Sequence, residues 1–305
     1  MKHSRKKRMT TKIKIIILVC AVIITCTIIE ATVIFREKKY NINTTTEVTQ
    51  EPNETNVLDN SGYLPLAEDT NAEDALQVNA NTEGLIKKTL SYPVRKDGKK
   101  VAYLTFDDGP STSNTPAVLD VLNKYGIKAT FFVIGKEIDS GEDSKKILKR
   151  TIKEGNAIGN HTYGHNYSYL YPKRTINANN FMADIEKTNE TLKKVLGKDF
   201  STRAIRFPGG YWSWEGRGGI RPTLDEKGYG IIDWNALDGD AESKPPKNAE
   251  QLIARTKQTI EDLGPNADSI VCLMHDTYGK EETVKALPAI IELFKQKGFE
   301  FKSIK

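Results

Sequence analysis

Cysteine is scarce in this 305-residue chain, where Cys20, Cys26 and Cys272 are the only three. Two of them lie inside an apolar run, so no disulfide framework staples the fold. Neither follows Gly, Ala or Ser, so a bacterial lipoprotein site is not indicated. Lys and Arg are absent from residues 41–86, which carry nine acids. Internal repeats are not visible. Hydrophobic residues make up 38% of the chain, too few for a polytopic membrane protein and enough for a globular core. The 22 Gly and 12 Pro are ordinary, which excludes collagen-like and Pro/Gly-rich disordered chains. Only four histidines are present, so their positions carry information.

The formal net charge of +5 is unevenly spread. Residues 1–14 hold seven basic side chains and no acid, while a modest positive surplus lies on 87–305. A uniform basic stripe is lacking, so no nucleic-acid partner is expected. The basic tail is followed by an apolar run over 15–35, interrupted by Glu30. About 20 residues cross a bilayer, and a positive cluster before the first span holds the N-terminus inside. The expectation is a cytoplasmic tail (1–14) and a single transmembrane anchor (15–35), with the rest of the chain extracellular. The alternative is a cleaved signal peptide and secretion. Against it, the run is long and no clean small-x-small site follows. Residues 36–94 are expected to form a flexible, disordered spacer, because 41–86 is acidic, rich in Asn and Thr, and without helical or strand period.

From about residue 95 the pattern changes. Short apolar runs at 101–106, 128–134, 157–160, 204–207, 230–234, 269–274 and 299–304 read as strands. Helical spacing is present over 115–125, 144–153, 177–196, 249–263 and 281–297. Alternation of strand and helix implies parallel βαβ units. The expected fold is α/β, an incomplete, distorted (β/α)7-type barrel over 95–305. Active sites in such barrels sit at the C-terminal ends of the strands.

The chemistry-bearing residues fall at those ends. They are Asp107-Asp108, His161-Thr-Tyr-Gly-His165, Arg206-Phe-Pro-Gly-Gly210, Asp233-Trp234 and Leu273-Met-His275. Two histidines four apart can face one metal, and with one carboxylate they leave a position open for water. Such a water has a lowered pKa. A second carboxylate can accept its proton, and a histidine across the site can protonate the leaving group. Singly these motifs are weak: Asp-Asp-Gly is usually a turn, and most HxxxH pairs bind nothing. Together, each at a strand end, they point to metal-assisted hydrolysis.

In that order the five motifs resemble those of the polysaccharide deacetylase family, the NodB-homology group or carbohydrate esterase family 4, over about residues 98–305. The layout of anchor, spacer and this domain resembles bacterial peptidoglycan deacetylases. The resemblance implies a NodB-type barrel with one divalent metal, zinc first and cobalt, manganese or nickel as alternatives. It implies Asp108, His161 and His165 as ligands, Asp107 as general base and His275 as general acid. Asp233 would pair with His275 and raise its pKa, and Arg206 would hold Asp107 ionised. A backbone N–H near Gly209 would join the metal in stabilising the oxyanion, while Trp234 and Leu273 would line the acetyl pocket. One departure stands out, because family members often carry Tyr where Gly209 stands. The loss would widen the groove, with Tyr211, Trp212 and Trp214 as replacement sugar-stacking surfaces or simply as packing. Tyr163 and Tyr167 are further candidates for sugar contact. The implied partners are a cell-wall glycan as substrate and the membrane, with no obligate protein partner. The implied reaction is removal of N-acetyl groups, from GlcNAc of peptidoglycan first. MurNAc, poly-GlcNAc or chitin oligosaccharides are alternative substrates, and a non-catalytic glycan-binding module is an alternative class.

Overall fold

The computed structural model describes residues 64, 66–242 and 245–305. The transmembrane segment expected over 15–35 lies outside the described residues. Among the described residues, no helix is long and apolar enough to cross a membrane.

The elements in chain order begin with β1 (Ala72–Glu73), α1 (Ala75–Ile86) and β2 (Val101–Asp107). Then come α2 (Asn114–Tyr125), β3 (Thr130–Val133), α3 (Gly135–Ile138), α4 (Glu142–Lys153) and β4 (Ala157–Asn160). They continue with α5 (Tyr167–Leu170), α6 (Ala178–Leu196), β5 (Ala204–Ile205), α7 (Arg217–Glu226), β6 (Gly230–Ile231) and β7 (Ala236–Leu237). The last are α8 (Ala249–Asp262), β8 (Ser269–His275), α9 (Glu281–Gln296), β9 (Glu300–Phe301) and β10 (Ser303–Ile304).

The main sheet has the order β6-β5-β4-β3-β2-β8-β7, with β9 beside the first residues of β2, and its pairings are parallel. The chain lays down β2 to β6 in one direction, then crosses to the far edge for β7 and returns through β8. The sheet curls, but no ladder joins β6 to β7 among the described residues. The structure is therefore a curled, open half-barrel of parallel strands. The central strand β2 is buried along its whole length, as a parallel strand covered on both faces must be. It pairs with β8 from Val101↔Ser269 to Asp107↔His275, so the ends of these two strands share one level.

Helix ends follow from local chemistry. Asn177 caps α6 by accepting from Asn180 N, and Asn248 with Gln251 forms a capping box on α8. The apolar faces of α2, α4, α8 and α9 meet the sheet in one cluster built around Leu104, Phe106, Phe131, Leu148, Ile260 and Phe294.

One expectation is corrected. The spacer does not run to residue 94. Asp74 caps α1, whose Ala75 and Val78 are buried with Tyr103, Phe132 and Val271. Glu73 accepts a bidentate pair from Arg95 (2.8 and 2.7 Å) and a bond from Tyr103, and Arg221 Nη1 donates to Glu83 at 2.7 Å. Two of the acids counted as spacer charge are thus ion-pair partners of the folded domain. The helix α7 is one that apolar spacing does not announce, because Gly218, Gly219 and Pro222 fall within it. Burial of Ile220 and Leu224 overrides their low propensity.

Candidate active site

Asp107 ends β2 and Asp108 follows it, and their carboxylates receive groups from three other strand ends. Three nitrogens converge on Asp108. His161 Nε2 and His165 Nε2 each stand 3.4 Å from Oδ1, and His275 Nε2 stands 3.9 Å from Oδ2. Ligand atoms of Asp108, His161 and His165 lie within 4.8 Å of one another. Asp108 Oδ1 is buried without a hydrogen-bond partner. An orphaned carboxylate oxygen facing two imidazole nitrogens is costly unless a cation fills the space. The residues therefore fit a divalent ion.

The tautomer of His161 is set from behind. Its Nδ1 lies 2.9 Å from Arg206 O, and a carbonyl can only accept, so Nδ1–H donates and Nε2 keeps its lone pair for the site. Backbone strain is concentrated here: Asp108 (φ 71°), Thr162 (φ 68°) and His165 (φ 48°) all occupy the left-handed region. The turn between the histidines is held by Asp184 of α6, whose Oδ2 accepts from Tyr163 N and Gly164 N, both at 2.9 Å. Asn160 Oδ1 accepts from Thr162 N at 2.9 Å. Gly109 is required after the acids, because a Cβ there would lie 2.5 Å from the Asp276 carboxylate.

Asp107 is nearly fully buried and is held by Arg206, whose Nη1 donates to Asp107 Oδ1 (2.7 Å) and to Thr105 Oγ1 (2.8 Å). The guanidinium is itself fixed by Nε donating to Ile232 O at 2.7 Å and by the face of Phe132 at 4.1 Å. A buried arginine this constrained fixes the neighbouring carboxylate in place through a charge-assisted hydrogen bond. Burial would raise Asp108, but His161, His165 and His275 outweigh it and hold it well below the usual carboxylate range. Burial lowers His165 to about 4, and His161 adds to that effect.

His275 stands across the site at the end of β8. Its Nδ1 is 2.7 Å from Asp240 Oδ1, and its backbone N–H donates to Asp240 Oδ2 at 3.0 Å. Thr283 Oγ1 donates to the same carboxylate at 2.9 Å, and Lys280 Nζ donates to Asp240 O at 2.7 Å. Burial alone would lower His275, but the Asp240 carboxylate overcomes it and lifts the imidazole to about 9. The group is therefore an imidazolium at neutral pH, aimed at the acid pair from the side opposite His161.

A polysaccharide deacetylase model matches residues 94–217. A peptidoglycan-N-acetylglucosamine deacetylase of Bacillus cereus is 32% identical over 236 residues, which cover 76% of this chain and 79% of that protein. The chain belongs to the polysaccharide deacetylase family. A carbohydrate esterase family 4 enzyme of Streptococcus mutans superposes with a TM-score of 0.67 at 35% identity, covering 77% of this chain and 92% of that one. A polysaccharide deacetylase of Bacillus cereus superposes with a TM-score of 0.57 at 30% identity, covering 67% and 92%. The protein is a deacetylase of that family.

In this deacetylase, Asp233 is not the partner of His275. It ends the β6 segment on the other side of the gap in the sheet, and its two oxygens accept from Tyr211 N at 3.0 and 3.1 Å. Burial raises its pKa, with only partial relief from that N–H. Asp233 therefore holds the loop after Gly210. Asp240 takes the histidine because the two-residue strand β7 pairs with β8 (Leu237↔Leu273) and delivers the following Asp238-Gly-Asp240 to the end of β8. The only cue, Ala236-Leu237 before Asp-Gly-Asp, is a two-residue run too short to mark a strand. Asp184 and Asn160 had no such cue, since they act through backbone groups.

The aromatic expectations divide. Tyr211 is buried, edge-on to Phe207 at 4.9 Å, and is packing rather than a sugar platform. Trp214 is buried too, stacked on Tyr171 at 4.0 Å with Nε1 donating to Pro208 O. Trp212 lies between Lys87 (5.3 Å) and Arg217 (5.2 Å), tying α1 to the site loop. Trp234 covers Arg206 and closes under Gly210, where a Cβ would meet its Cη2 at 2.9 Å. Leu273 is buried in β8. Tyr163 is engaged by Lys187 above its ring and donates to Asp139. The groove beside Gly209 is not widened. Tyr167 and Trp214 stand over it, each with an atom 3.2 Å from where a Cβ would be.

Proposed function

We propose that this deacetylase removes N-acetyl groups from cell-wall glycan, with GlcNAc of peptidoglycan as the substrate. The observation that carries the chemistry is the opposition of two groups across one cleft. A carboxylate, Asp107, fixed by buried Arg206 faces an imidazole, His275, whose proton affinity is raised by Asp240.

Asp108, His161 and His165 would hold one divalent cation, and zinc suits two imidazoles, one carboxylate and an open position. When bound, that ion supplies Lewis acidity, polarising the acetamide carbonyl and lowering the pKa of a water. Asp107, fixed by Arg206, accepts the proton of the attacking water. His275 gives its proton to the amide nitrogen as the C–N bond breaks, so acetate leaves and the sugar keeps a free amine. The N–H of Gly209 would donate to the carbonyl oxygen as it gains charge. Trp234 and Leu273 would line the space for the acetyl methyl group. A basic, apolar N-terminal segment would anchor the chain with this domain outside, where wall glycan is within reach.

The substrate rests on kinship. The Bacillus cereus relative above and a 31% identical protein of Listeria monocytogenes are both peptidoglycan-N-acetylglucosamine deacetylases. Acetate release from purified peptidoglycan, with mass spectrometry of the muropeptides, tests this. Loss of 42 Da (about one acetyl) from GlcNAc is expected. Loss confined to MurNAc, or release from chitin oligosaccharides alone, would replace the substrate.

A further inference from the structure

Two donors meet beside the cation site without partners. Gly209 has φ +75°, and its N–H makes no hydrogen bond among the described residues. Above its bare α-carbon stands the hydroxyl of Tyr167, 3.2 Å from the position a Cβ would take. That hydroxyl has no hydrogen-bond partner among the described residues. The ring beneath it is fixed. It leans on His165 at a centroid distance of 5.3 Å and meets Trp214 edge-on at 5.3 Å. Trp214 is in turn locked by Tyr171 and by Pro208 O. Tyr167 nevertheless remains 45% exposed, so a rigid ring presents a free O–H to solvent between a candidate ligand and a free backbone N–H.

A preorganised pair of this kind, with no internal acceptor, stabilises an oxygen that gains negative charge. We propose that Tyr167 is a catalytic residue, donating its phenolic hydrogen to the acyl oxygen of the substrate amide alongside the N–H of Gly209. As water adds to the carbonyl carbon, the π pair moves onto that oxygen and both hydrogen bonds shorten. As the C–N bond breaks, the pair returns to re-form the carbonyl. The phenolic proton stays on Tyr167 throughout, so the residue acts as a hydrogen-bond donor and not as a general acid. Glycine at 209 is then required by more than its backbone angle, because any side chain there would displace the hydroxyl.

The inference rests on the deacetylase reading, and the test separates the two. Tyr167→Phe keeps the ring contacts and removes only the oxygen. In the metal-loaded enzyme, kcat for acetate release is expected to fall about 10- to 100-fold with KM changed less than about twofold. Bound metal and melting temperature stay at wild-type values. Calorimetric affinity for acetate, whose carboxylate carries the same oxygen, falls about tenfold. An unchanged kcat overturns the proposal. So does a raised KM with kcat intact, which would place the hydroxyl on a sugar hydroxyl instead. If the wild type releases no acetate from any N-acetyl glycan, the functional reading falls. The acetate titration then decides Tyr167 alone, and equal affinity in the two proteins rejects its role.

Discussion

The two sides of the cleft hold opposite charges by different means. On the metal side a carboxylate, Asp108, is surrounded by imidazoles, and its neighbour Asp107 is clamped by Arg206. On the acid side an imidazolium, His275, is held by Asp240, which in turn accepts from Thr283 and Lys280. The metal side is built largely from one five-residue turn, strained at Thr162 and His165 and pinned from behind by Asp184. The acid side joins residues 35 positions apart through the pairing of β7 and β8. The first can be disturbed by a local change that leaves the sheet alone. The second depends on strand register, and a change there alters a proton affinity before it alters a shape.

The largest effect should come from the metal side. Asp108→Asn or His161→Ala is expected to abolish zinc retention after dialysis and to lower kcat/KM by about 10³-fold or more. Full activity with no bound metal would break the distinction between the sides. Next, Asp240→Asn should lower kcat about 10²-fold while leaving metal content at one ion per chain, because it weakens the acid and not the ligands. Metal loss in that variant would show that the two sides are one unit. A smaller effect is expected from Asp184→Ala, which strands two backbone N–H groups. Metal affinity should weaken by about 10-fold or more, with about 1–3 kcal/mol of stability lost in a denaturant titration. Smallest is Glu83→Ala on α1. It removes the partly buried pair with Arg221 and should cost about 1 kcal/mol by thermal unfolding, with metal affinity untouched.

The same contrast explains what could be read from residues alone. Asp107-Asp108 and His161–His165 are contiguous, so their spacing carries the geometry. The βαβ alternation was equally legible, because each buried strand is a continuous apolar run. Asp240 was not, since β7 is too short to show a period and Asp233-Trp234 is a better-looking strand end nearby. α1 was hidden for another reason. Its acids and asparagines resemble a solvated tether, and only Arg95, Tyr103 and Arg221, distant in sequence, turn Glu73 and Glu83 into structural partners. α7 was masked by Gly218, Gly219 and Pro222. Tyr211 and Trp214 invited a surface role because aromatic residues in a loop do not reveal which way they face.

The assignment of the acid is tested most directly by the alkaline limb of the pH–kcat profile in metal-saturated wild type, Asp240→Asn and Asp233→Asn. Folding lifts His275 from its ordinary 6.5 to about 9. The group is protonated below that value and stops serving as an acid as pH rises through it. Removing the Asp240 charge leaves burial, which lowers the imidazole pKa, so the limb should move to lower pH in Asp240→Asn. It should stay in place in Asp233→Asn, whose partner is a backbone N–H. A limb that shifts in Asp233→Asn and holds in Asp240→Asn would contradict the pairing on which the acid side is built.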